Sequence, residues 1–203
     1  MNNLTNTAKK LDKVFEIARI VLGALAVAAV VFIVLIGLAY VLDWDPEFIG
    51  TGYASFEVGF LEVEAAAGYG PDPWVVLAHA AFTLAVGMLL LLDGRRGIGY
   101  IRSILQPMTE GKPFDTSASI NLKKLAKLSI RLGILWNIII LSEMIVMVFV
   151  YDLPGLLISE KISQVSGNFQ VDLSFLIYWA IFTLLSYVFQ HGQQLQQLSD
   201  ETL

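Results

Sequence analysis

Three side chains able to exchange protons or hydrogen bonds stand inside long apolar runs: His79, Glu143 and Tyr178. A carboxylate near the bilayer centre costs about 2.5 to 3.5 kcal/mol on insertion scales, so Glu143 is expected to face the bundle interior and take a partner. At a helical rise of ~1.5 Å per residue, Glu143 falls roughly 12 Å below Tyr151, His79 roughly 7 to 8 Å below Trp74, and Tyr178 about 9 Å below Asp172. Depths this close predict one intramembrane polar cluster. It would serve either as a structural hydrogen-bond network or as a proton- or ligand-responsive site, since histidine titrates near neutral pH.

The second set is basic. Arg95, Arg96, Arg102, Lys112, Lys123, Lys124, Lys127 and Arg131, with Phe114 as one aromatic anchor, crowd the stretch between Asp93 and Arg131. Lys123, Lys127 and Arg131 recur at helical spacing and so form one stripe. Such a stripe suits anionic lipid at the inner leaflet or a docking face for a soluble cytoplasmic partner.

The elements that would carry these residues are apolar helices. Hydrophobic residues make up 56% of the 203 positions and charged residues 15%, against about 25% charged in an ordinary soluble domain. The excess is clustered into four runs: 14–42, 74–92, 132–151 and 171–189. Each approaches the ~20 residues that cross the hydrocarbon core as a helix. The first run is far longer than the core of a secretory signal, so it is expected to remain as an anchor. Within it Ala24 and Ala28 have the spacing at which small residues let helices approach closely.

Between the spans lie an outer loop at 43–73, an inner loop at 93–131 and a second outer loop at 152–170. Tyr53 to Glu64 alternates apolar and polar residues with a change of phase after Phe60, as two short strands or one bulged strand would. Ser166 to Leu173 alternates too and offers a third strand. A small extracytoplasmic β-sheet from both outer loops is therefore expected. In the inner loop, Ile98, Ile101 and Leu105 mark a short amphipathic helix ended by Pro107 and lying along the membrane surface. A turn follows at Gly111 to Phe114, and Asp115, Thr116 or Ser117 can cap a helix running directly into the third span.

Orientation follows from the cations. Twelve of the 13 lysines and arginines fall on the side of the termini and the central loop, leaving only Lys161 opposite. That side is expected to be the cytoplasm, with both termini inside. The fold expected is an all-α membrane protein, a four-helix transmembrane bundle in a single domain over residues 1–203.

The segment Tyr100 to Leu128 resembles a junction in a family of bacterial membrane proteins, domain of unknown function 2975, with its Gly-Lys-Pro-Phe-like turn, polar cap, Asn and Leu/basic helix. Phe189, Gly192, Leu195, Gln196, Asp200, Thr202 and Leu203 are similar to that family's tail. Gln193, Gln194, Gln196 and Gln197 depart from it, standing where the family has a more acidic stretch. The resemblance implies four spans in a bacterial cytoplasmic membrane and a small helix-turn-helix regulator as neighbour. It implies no known chemistry.

Other signals fail on context. Asp43, Asp45 and Glu47 alternate as cation ligands might, but neither the glycine nor the bidentate glutamate of a calcium loop follows. Gly97 and Gly99 do not complete a nucleotide fingerprint, because Arg102 occupies the third glycine's place. The chain lacks cysteine, which excludes disulfides and thiolate zinc sites. Without a catalytic set, cofactor or metal motif, a non-enzymatic sensor or sequestering partner of a regulator is expected. Its partners would be the anionic inner leaflet, that regulator and a second copy of the chain, with no direct nucleic-acid contact. The alternative is a small transporter or channel component using Glu143.

Overall fold

The computed structural model describes residues 2–44, 55–58, 61–64, 72–109, 115–150 and 171–201. Four long helices dominate: α1 (Asn2–Val41), α2 (Pro73–Thr109), α3 (Thr116–Ile145) and α4 (Ser174–Glu201). Each is long and apolar enough to cross a membrane. The protein is a multi-pass membrane protein by this measure, and α4 is its least apolar helix.

Two short strands, β1 (Ser55–Val58) and β2 (Leu61–Glu64), pair antiparallel with Phe56 opposite Val63 and Val58 opposite Leu61. Two strands thus lie on either side of the phase change, as one of the two expected arrangements has it. The expected third strand is not found: Val171 to Leu173 carry no strand, and 166–170 lie outside the described residues.

The caps follow from local chemistry. Asp115 caps α3, its carboxylate accepting from the Ser117 backbone N–H at 3.3 Å and from the Ser117 hydroxyl. At the end of α1, Trp44 N–H donates to the Ala39 carbonyl at 3.0 Å and Asp43 N–H to that of Tyr40 at 3.3 Å. Asp43 takes φ 52°, the left-handed conformation that this helix-ending motif needs and that aspartate tolerates. Past Ile145, α3 widens into a π-helical turn over Val146–Val150.

The expected separate surface helix is absent, because α2 continues unbroken from Pro73 to Thr109. Pro107 sits in its last turn, and the helix ends two residues beyond it. The 93–131 stretch is therefore mostly the C-terminal end of α2 and the N-terminal part of α3.

The chain divides into two compact units. The first comprises Met1–Val27, Met88–Asn137 and Val171–Leu203. Its core is the beginning of α3, where Ala118, Leu122, Leu125, Ala126 and Leu128 are buried and Lys123, Lys124 and Lys127 are exposed. Here α3 and α4 run antiparallel in one register. Asn137 meets Asp172, Gly133 meets Phe175, Lys123 meets Tyr187 and Thr116 meets Gln193. Any side chain added at Gly133 would collide with Phe175, so the glycine sets the closeness of that crossing. Asn137 fixes its end: its amide donates 2.9 Å to the Asp172 carbonyl and accepts 2.9 Å from the Asp172 N–H.

This register changes the depth expected of the fourth span. It sets Phe189 level with Ile120 and Asp172 level with Asn137, so 171–189 lies beside the part of α3 that carries Lys123, Lys124, Lys127 and Arg131. Within this unit the runs 132–151 and 171–189 meet through their first turns, at Gly133 with Phe175 and Asn137 with Asp172. Hydropathy scores each helix alone and cannot detect such an offset.

The second unit comprises Ala28–Gly87 and Ile138–Gln170. Within it Tyr40 and Trp74 pack edge to face with ring centroids 5.0 Å apart. The buried small residues of α1 are Ala8, Ala26 and Ala29, whereas Ala24 and Ala28 are exposed. The inward face of α1 runs through Phe15, Leu22, Ala26, Ala29 and Ile33, and Ala24 and Ala28 fall off that phase.

Candidate functional site

The most deeply buried charged side chain described is Asp93, 1% exposed, at the point of α2 where the apolar run meets the cations. Its Oδ1 accepts from Arg96 Nη1 at 2.7 Å, one helical turn along. Its Oδ2 lies 2.6 Å from Nε of Arg131 on α3, an ion pair whose N–H is not aimed as a hydrogen bond. A carboxylate taken out of water needs such partners, and both guanidinium groups stay more than half exposed.

Around this centre the other cations are tethered. Arg102 reaches α1, donating from Nε to Asp12 at 2.7 Å with Glu16 3.7 Å away. That hydrogen bond holds the Asp12 carboxyl below the usual carboxylate range, against the opposing effect of burial. Arg95 lies against Gly23 of α1, where a larger residue would displace its guanidinium. Lys123 sits 5.8 Å over the Tyr187 ring and Lys124 5.4 Å over that of Tyr100.

The stripe of Lys123, Lys127 and Arg131 does form one exposed face of α3, with Lys124 at its edge. Lys112 and Phe114 lie outside the described residues. Of the eight cations named from the sequence, Arg96, Arg102 and Arg131 are held by ion pairs, and Lys123 and Lys124 rest on tyrosine rings. Sequence reasoning missed Asp93 as the hub. An acid closing an apolar run, three residues before an arginine, was its only local signal.

The intramembrane residues behave differently from expectation. Glu143 is exposed on α3, not turned inward, because the buried side there runs through Ile139 and half-buried Ser142. His79 Nε2 is buried and finds no hydrogen-bond partner among the described residues. Thr83 Oγ1, one turn along the same face of α2, is buried and unpartnered in the same way. Tyr178 belongs to the other unit and is 56% exposed. Among the described residues no group of three or more histidine and acidic side chains could hold a metal ion.

Comparison with family models, with curated proteins and with solved structures finds no match to this chain.

Proposed function

We propose that this chain is a non-enzymatic protein of a bacterial cytoplasmic membrane, both termini inside, that binds a small helix-turn-helix regulator at its basic inner face. The observation that carries this reading is the exposed Lys123, Lys127 and Arg131 stripe on a helix braced through Asp93. Cations fixed on a rigid helix lose less conformational entropy on binding than cations on a loop. The similarity of Tyr100 to Leu128 to domain of unknown function 2975 supports the same reading. In this arrangement the β1–β2 hairpin lies on the outer face, and anionic lipid surrounds the inner cations. In-cell crosslinking with mass spectrometry tests it. A small DNA-binding protein should be recovered, and Lys123→Glu, Lys124→Glu and Lys127→Glu together should abolish recovery while membrane insertion persists. Recovery unchanged by the reversal overturns the docking surface.

One observation favours a second reading. Glu143 is exposed within an apolar helix and has no partner among the described residues, as a proton- or ion-handling carboxylate of a transporter component would be. Flux into vesicles that disappears in Glu143→Gln would establish it, and absence of flux in the unaltered protein would remove it.

A further inference from the structure

Along the apolar run of α2, His79, Thr83 and Gly87 succeed one another at steps of four residues, so they fall on one side of the helix. His79 and Thr83 are half-buried as residues, yet His79 Nε2 and Thr83 Oγ1 are themselves buried and take no hydrogen bond among the described residues. In both side chains it is the polar atom that is covered.

A hydroxyl inside a helix can satisfy itself on its own backbone. Ser103, Ser129 and Thr183 donate to the carbonyl four residues back, and Ser119, Ser142 and Ser186 to the one three back. Thr83 makes no such bond to the carbonyl of His79 or Ala80, and its hydroxyl stands one turn from the His79 imidazole. Two buried polar atoms left open on adjacent turns, one of them with a backbone acceptor in reach, point to a partner shared between them.

We propose that one ordered water is held between His79 Nε2 and Thr83 Oγ1, inside the apolar run of α2. Spacing selects an occupant of this size. Residues four apart on a helix have Cβ atoms about 5 to 6 Å apart, and an oxygen bonded at about 2.8 Å to each of two atoms joins atoms roughly 4.5 to 5.5 Å apart. Chemistry selects it as well, because water both donates and accepts and so satisfies a threonine hydroxyl together with either tautomer of a neutral imidazole. Two protein partners meet the lower bound for a buried water, about two to four. Gly87 brings no side chain to crowd the next turn, and a Cβ there would meet nothing within 4 Å. Among the described residues no group of three or more histidine and acidic side chains could hold a metal ion in its place. A water at Nε2 gives the imidazole a route for proton exchange that the apolar helix around it lacks. The proposal rests on neither the basic docking face nor Glu143.

The chain has two histidines, and His191 lies exposed near the end of α4, so His191→Gln leaves His79 as the only imidazole in the full chain. Solid-state NMR of that variant in lipid vesicles, isotope-labelled in its histidine ring, reads magnetisation transfer from water to Nε2. Transfer should be present, should persist when Thr83→Ser is added, and should fall about threefold when Thr83→Val is added instead. Thr83→Val keeps the outline of the threonine side chain, and thermal unfolding checks that the variant is folded. Absence of transfer to Nε2 in His191→Gln, or equal transfer in the serine and valine variants, would overturn the proposal.

Discussion

Arg131 Nε lies 2.6 Å from Oδ2 of Asp93, and this contact ties α3 to α2 where the apolar parts of both helices give way to the basic belt. Arg96 closes the other oxygen at 2.7 Å. Removing the carboxylate would leave two guanidinium groups without their partner. Asp93→Asn is expected to destabilise the protein by about 2 kcal/mol, tempered because both arginines remain half in contact with water. Thermal unfolding in detergent checks this. Asp93→Asn combined with Arg131→Gln should recover part of the loss, and strictly additive losses would show that the pair is not coupled.

Gly133 makes room for Phe175. Gly133→Ala should cost about 1 to 3 kcal/mol by forcing α3 and α4 apart. Adding Phe175→Leu should relieve part of that loss if the collision is its cause. A double-mutant cycle read by thermal unfolding measures the coupling, and no coupling would dismiss the close crossing.

The α3–α4 register sets Ile120 and Val188 at the same level, with both side chains exposed. Single cysteines at these two sites should react at the same rate with a membrane-impermeant maleimide applied to inside-out vesicles. Rapid reaction at Ile120→Cys beside full protection at Val188→Cys would contradict the common level.

Asp12, in the polar stretch ahead of the apolar run of α1, has its carboxyl held low chiefly by the Arg102 hydrogen bond. A carboxyl depressed in the folded state contributes stability that is complete above its unfolded value, about 3.9, and is lost as pH falls through the lower folded value. The gain at neutral pH is below about 1 kcal/mol, since both partners are partly solvated. Unfolding temperatures of the native chain and Asp12→Asn should therefore differ slightly at neutral pH and converge on strong acidification. A gap that widened in acid would reverse the assignment.

Several features were legible from order and type alone. Four apolar runs, the alternation around Phe60 and the stripe at Lys123, Lys127 and Arg131 are local patterns, and the helices, the paired strands and the exposed basic face follow from them. Tertiary structure decided the rest, because it depends on which helices meet and at what offset. Asp93 became a hub because Arg131 arrives beside it from α3. Glu143 turned outward because α3 presents Ile139 and Ser142 to its neighbours. The level of α4 was set by Asn137 at Asp172 and by the absence of a side chain at Gly133, neither of which hydropathy can register. Hydropathy is a sum along one helix, whereas register is a relation between two.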